Sequence, residues 1–205
     1  MVVCNSFVKF STAYTDRDGY YSMEKAFSTD VRYRLVFKNE KGFGIGLNLI
    51  LLPASVSTLG KAGPEGVTMT ITEDSDEKLF KRCVVNNAAY DYYSRCVTGD
   101  MGIAAPPSDL RIWLFYNLEA SSAVMLHHGT ILESDLIGKY LGIYTDLIRV
   151  FLPDITLGVK GKDSYRDLYD TTCHELAHAS HFTKAGCDFW NRYIFYIMAS
   201  YVATS

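Results

Sequence analysis

The stretch Asp163-Ser164-Tyr165-Arg166-Asp167-Leu168-Tyr169-Asp170-Thr171-Thr172-Cys173-His174-Glu175-Leu176-Ala177-His178, continued as Ala179-Ser180-His181-Phe182-Thr183-Lys184-Ala185-Gly186, reads as one helix with its own punctuation. Asp163 and Ser164 offer N-caps, and Asp167 and Asp170 put acidic charge near the positive end. Lys184 sits in the last turn, and Gly186 can take the left-handed backbone that ends a helix. The predicted helix covers residues 165–184. Leu168, Thr172, Leu176 and Ala179 recur at helical spacing and face the core, whereas His174 and His178 fall on another stripe.

Those two histidines, with Glu175, form a His-Glu-x-x-His motif. At i and i+4 on a helix, two imidazoles lie one above the other, close enough to share a single tetrahedral zinc. Zinc held by neutral imidazoles with one position open acidifies a bound water and polarises a carbonyl. Glu175, adjacent to His174, stands at the edge of that face, where a general base reaches the water without ligating the metal. The pattern points to zinc-dependent hydrolysis with His174 and His178 as ligands and Glu175 as base.

Working outward, the preceding stretch 154–159 reads as a strand, and a helix is expected from the Ser134 cap to Phe151, stopped by Pro153. Residues 110–115 form another strand candidate, and 99–107 a loop. An earlier helix starts from an Asp74–Glu77 capping pair, with Leu79, Phe80, Cys83, Val84 and Ala88 on its apolar stripe to about Cys96. After the motif helix, residues 190–203 are apolar nearly all round. They are too few to span a bilayer, and are expected as a helix buried on the motif helix.

The helix with HELAHASHF at 174–182, the strand before it, and Trp190 and Tyr193 after it resemble the zincin metallopeptidases, and are similar to zincin-like proteins of bacterial envelopes. The resemblance covers residues 110–205. It implies an α+β zincin-like domain in which an edge strand, here 154–159, lies above the active-site helix and binds extended peptide. It also implies an extracytoplasmic setting, periplasm or cell surface, with a peptide or protein as substrate.

The third zinc ligand departs from the families. Six residues after the second histidine, where metzincins place a ligand, stands Lys184, and the intervening glycine is His181. No Glu follows Glu175, as gluzincins require. The first expectation is a chain truncated at its C-terminus before that Glu. The alternatives are His181, at i+7 on the same face, and Asp188, just beyond Gly186. The runner-up function is a non-catalytic envelope binding or scaffold protein with an incomplete site. His127 and His128 are the remaining histidines, and read as a strand pair at most one of them faces the cleft, there to contact substrate or a developing oxyanion.

The N-terminal part reads as β-rich: strands at 8–10, 20–23, 31–38 and 44–52, with turns at Asp16-Arg17-Asp18-Gly19 and Asn39-Glu40-Lys41-Gly42. Thr15-Asp16-x-x-Gly19-Tyr20-Tyr21 followed by residues 31–37 resembles the latter half of the carboxypeptidase-regulatory-like, transthyretin-like β-sandwich. The Gly42-x-Gly44-x-Gly46 run has no helix after it and reads as a glycine-relieved strand or turn rather than a phosphate loop. Residues 53–64, rich in Ser, Gly and Pro, are expected as a linker. The organisation is thus a partial β-sandwich at 1–52, a linker at 53–64 and the zincin-like domain at 65–205.

A formal net charge of −3 over 205 residues gives no basic footprint for nucleic acid. The five cysteines lack Cys-x-x-Cys spacing, and Cys83 and Cys96 share one helix too far apart to bridge, so free thiols are expected. Met1-Val2-Val3-Cys4-Asn5 has neither the basic region nor the apolar run of a signal peptide.

Overall fold

The computed structural model describes residues 1–5, 9–25, 27–46, 54–130, 151–162 and 164–204. Within them lie two four-stranded sheets and three helices, an α+β architecture. The helix expected between Ser134 and Phe151 lies outside the described residues, apart from its last position, as do 47–52 of the expected fourth strand.

The first sheet is antiparallel throughout, in the order β2-β1-β3-β5, with β1 Val2–Asn5, β2 Lys9–Ala13, β3 Val31–Val36 and β5 Val56–Ala62. Val2 and Cys4 on β1, and Val31 and Tyr33 on β3, alternate inward to make its buried cluster, as a period of two requires. The two turns form as read. Asp16 Oδ1 accepts from the amides of Asp18 and Tyr20 at 2.9 Å each, and Asn39 Oδ1 accepts from Lys41 at 3.0 Å and Phe43 at 3.1 Å. Residues 20–23 are not a strand, however, and the expected linker is the strand β5 for most of its length. It pairs with β3 from Val31↔Ala62 to Val36↔Val56. Strand pairing is made by backbone groups, so a Ser- and Gly-bearing segment completes an open sheet edge as readily as a Val-rich one.

The second sheet, in the order β4-β6-β8-β7, carries the candidate site. Strands β4 Gly44–Ile45, β6 Arg111–Phe115 and β8 Ile155–Gly158 are parallel, and β7 Ser122–Ala123 is antiparallel to β8. The sequence places the edge strand at 154–159, but β8 is paired on both sides, to β6 and to β7. The edge on that side is the two-residue β7. Ile155, Leu157 and Gly158 are buried, the pattern of an inner strand.

Helix α1, Glu77–Thr98, is capped by Asp76 rather than Asp74: the Asp76 side chain accepts from Leu79 N at 2.9 Å. Helix α2, Tyr165–Ala185, starts at Ser164, whose hydroxyl accepts from Asp167 N at 3.0 Å, and ends at Gly186 with φ 85°. Helix α3, Cys187–Thr204, follows at once. One core joins them: Val84, Val85, Ala89 and Tyr92 of α1, Leu168, Leu176 and Ala179 of α2, Trp190 of α3, and Ile45, Ile112, Ile155 and Leu157 of the sheet. Burial of this apolar surface is the main favourable contribution to folding. The expectation that α3 is buried holds for Trp190, with Cys187 and Ile194 partly buried against the core. Phe189, Tyr193, Phe195, Tyr196 and Met198 are exposed. Among the described residues no helix is long and apolar enough to cross a membrane, and all five cysteines are free.

Gly158 closes β8 beneath the 118–120 segment. A Cβ there would stand 2.5 Å from Ala120 O and 2.7 Å from Leu118 O, both backbone atoms with no side-chain freedom to yield. Gly158→Ala is therefore expected to cost about 1–3 kcal/mol, read as a lower urea midpoint with unchanged slope. An unchanged midpoint would mean that the 118–120 segment yields freely.

Candidate metal centre

Helix α2 divides its residues between two stripes. Leu168, Thr172, Glu175, Leu176, Ala179 and Phe182 are buried, while His174 and His181 are exposed and His178 is half-buried. Both stripes follow from 3.6 residues per turn, so the cap at Ser164 fixes where each side chain points. His174 and His178 come together as their spacing predicts, with Nε2 atoms 3.2 Å apart and rings edge to face at 82°.

Zinc–imidazole bonds of about 2.0–2.1 Å at the tetrahedral angle hold two ligand nitrogens about 3.3–3.4 Å apart. The observed separation is close to that.

Burial, followed by the nearby His174 and His181, pushes the His178 pKa down. The neutral ring this favours is the one with a lone pair for a metal. Glu175 is only 5 % exposed, and among the described residues nothing donates a hydrogen bond to its carboxylate. Burial raises its pKa, and His174 beside it acts in the opposite direction.

The proposed third ligands do not assemble. Among the described residues no group of three or more His, Cys, Asp or Glu side chains could hold a metal ion. His181 shares the histidine face, but its ring stands against α3, with centroids 5.2 Å from Trp190, 5.7 Å from Phe189 and 6.5 Å from Tyr193. The further helical turn carries it along the axis, away from the His174–His178 pair and into this aromatic cluster. Asp188 lies exposed in the first turn of α3.

Compared with known proteins, the chain matches no family model, no curated protein and no solved structure.

Of two features of the surroundings, the first was expected from the sequence and the second escaped it. Trp190 is buried against α2, its ring 6.4 Å from that of His178 and 6.1 Å from that of Phe182, so α3 walls one side of the histidine pair. The other feature is Asp154. His127 and His128 lie in a turn after β7, not on a strand, and His128 Nδ1 is 2.9 Å from the fully buried Asp154 Oδ1. The His128 ring meets Phe182, one helical turn beyond His178, at 6.2 Å. An Asp and a His 26 positions apart leave no local pattern to read. For Trp190, the apolar run that it opens was the signal.

Asp154 Oδ1 accepts from His128 N at 3.0 Å as well, and Oδ2 accepts from Arg111 N at 3.0 Å. In Asp154→Asn one of these sites becomes an NH2 facing a donor. The expected loss is about 1–3 kcal/mol of unfolding free energy, measured by urea titration. Equal stability of the two proteins would show that the carboxylate is not needed to hold the loop.

Proposed function

We propose that this protein is a zinc-dependent metallopeptidase, with His174 and His178 as metal ligands and Glu175 as general base. The observation that carries this reading is the convergence of the two Nε2 atoms at 3.2 Å, with the Glu175 carboxyl on the adjoining face of the same helix. The order of elements supports it: an antiparallel edge strand, β7, flanks the strand that leads into the motif helix, as the resemblance to zincins implies, although the edge is β7 and not β8.

Zinc, when bound, supplies Lewis acidity toward a water and toward the scissile carbonyl. His174 and His178 would hold the metal through imidazole nitrogens. Glu175 takes a proton from the attacking water and delivers it to the departing amine, and a carboxyl whose pKa is raised toward neutrality is suited to both transfers. Ser122 of the two-residue edge strand β7 is exposed, and an extended peptide would pair there. The second reading is a binding or scaffold protein with an incomplete centre. It draws on the two-ligand set found among the described residues.

Metal titration separates the two. About one zinc per chain is expected by elemental analysis after dialysis, with affinity falling more than about 100-fold in His174→Ala and in His178→Ala. His181→Ala should leave affinity nearly unchanged, because the His181 ring is placed against α3. Zinc binding that survives loss of both His174 and His178 defeats the assignment.

Glu175→Gln tests the base. Burial makes the folded pKa of Glu175 higher than its unfolded value, so stability is fully present below the unfolded pKa and is lost as pH rises through the folded one. The uncharged amide escapes that loss. At neutral pH the metal-free Gln protein should therefore unfold at an equal or higher temperature, bind zinc as before, and hydrolyse casein about 10²–10⁴-fold more slowly. Equal hydrolysis by the two proteins would remove Glu175 from the chemistry.

A further inference from the structure

On the second sheet, where β4 and β6 begin, a cavity of about 240 Å³ is lined by Lys38, Gly42, Gly44, Asp109, Arg111 and His127. We propose that it is an oxyanion site, in which the Lys38 ammonium and the Arg111 guanidinium bind a phosphate or carboxylate group. The proposal does not depend on the metal centre.

Charge balance is the first argument. Two permanent cations, Lys38 and Arg111, line the cavity with a single carboxylate, Asp109, while Asp154 acts on Arg111 from outside the lining. Among the described residues neither Lys38 nor Arg111 has a carboxylate within the 4.0 Å of an ion pair. The obvious internal partner, Asp154, is already committed, its two oxygens accepting from Arg111 N, His128 N and His128 Nδ1. Asp109 is fixed in the cavity wall. It sits in left-handed backbone at φ 62°, with its Oδ1 packed where a Cβ of residue 42 would be, and glycine at 42 makes room for it.

Desolvation is the second argument. Arg111 is half-buried, and burial lowers its pKa against the opposing pull of Asp154 and Asp109. A partly desolvated guanidinium without a salt-bridge partner is costly to keep, and a bound anion offsets that cost through charge-assisted hydrogen bonds. Arginine's planar fork suits the paired oxygens of phosphate and carboxylate alike.

The third argument is size and wall chemistry. The volume is below the roughly 300–1,000 Å³ of sites for drug-sized molecules, and it admits a small anion or the charged end of a larger one. The anion would be held by side chains and not by a glycine-rich loop. The amides of Gly42, Gly44 and Gly46 donate to Asn39 O, Leu110 O and Ile112 O, so none is free to bind phosphate.

The test is calorimetric titration of the full chain, stripped of metal and dialysed free of chelator, with inorganic phosphate, and in parallel with a short peptide bearing a free C-terminal carboxylate and with its C-terminal amide. Saturable binding of phosphate, or of the peptide acid but not its amide, is expected, and which of the two binds identifies the source of the oxyanion. Affinity should fall about tenfold or more in Lys38→Gln and in Arg111→Gln, stay nearer to the parent in Arg111→Lys, and be unchanged in Lys61→Gln on β5. Arg111→Lys keeps the charge, so it separates loss of the site from loss of the fold, which the melting temperature of each variant also monitors. The proposal is overturned if neither probe saturates, if the amide binds as well as the acid with no phosphate binding, or if Lys61→Gln weakens binding as much as Arg111→Gln.

Discussion

The buried carboxylate of Asp154 is the point through which the second sheet and the loop beside the candidate centre are tied together. Its side chain takes three hydrogen bonds, from Arg111 N and from both nitrogen donors that His128 presents. Its backbone makes two more: the amide donates to Arg111 O at 2.9 Å, and the carbonyl accepts from Met125 N at 2.9 Å. One residue thus sets the start of β8 against the start of β6 and anchors the turn that follows β7. The turn needs such an anchor, since Met125 is fully buried with φ 63°, a backbone state that side-chain-bearing residues enter at a cost. A buried charge is tolerable only when its hydrogen-bonding capacity is met, and here meeting it is the same act as fixing the loop. Downstream, the loop presses the His128 ring onto Phe182 and so touches α2 close to the histidine pair. On the other side, Arg111 lines the neighbouring cavity.

What could be read from the sequence was what is decided locally. The motif helix α2 carries its own start at Ser164 and its own stop at Gly186, and within it the i, i+4 relation fixes the meeting of His174 and His178 whatever the rest of the chain does. The Asp16 and Asn39 turns are likewise made by side chains bonding the backbone two to four residues on. For α1, acids at 74 and 76 compete for one cap. The choice went to Asp76, the one whose carboxylate reaches the third helical amide at Leu79. Strands without strong side-chain patterning were the failures. Strand β5 owes its existence to the free edge of β3, and β7 is a two-residue pairing with no periodicity to detect, which is why the edge of the second sheet was assigned one strand too far inward.

His181 shows how a shared helix face need not bring side chains together. It does share the helix face of His174 and His178, as the i, i+4, i+7 pattern says. A face is a strip, however, and ligands must converge on a point. The axial offset delivers the third ring to Phe189, Trp190 and Tyr193 on α3, a partnership that depends on the reversal at Gly186 and on the packing of the next helix. Asp154 and His128 are the complementary case. Their 2.9 Å contact is among the firmest polar contacts near the site, yet it joins positions that only the strand order brings together.

Glu175 is where the needs of folding and of chemistry part. Its position on the buried stripe, with Leu168, Leu176 and Ala179, would take an apolar side chain at lower cost, because a carboxyl there loses hydration and among the described residues gains no donor in return. The imidazole of His174 offsets only part of that, as the direction of the pKa change shows. A helix evolved for packing alone has no use for this arrangement, whereas a proton-transfer step beside two converging imidazoles requires a desolvated carboxyl that can both accept and release a proton. The same placement that weakens the fold at neutral pH is the one that the proposed hydrolysis would use, and among alternatives for this position the structure offers no packing reason to prefer glutamate.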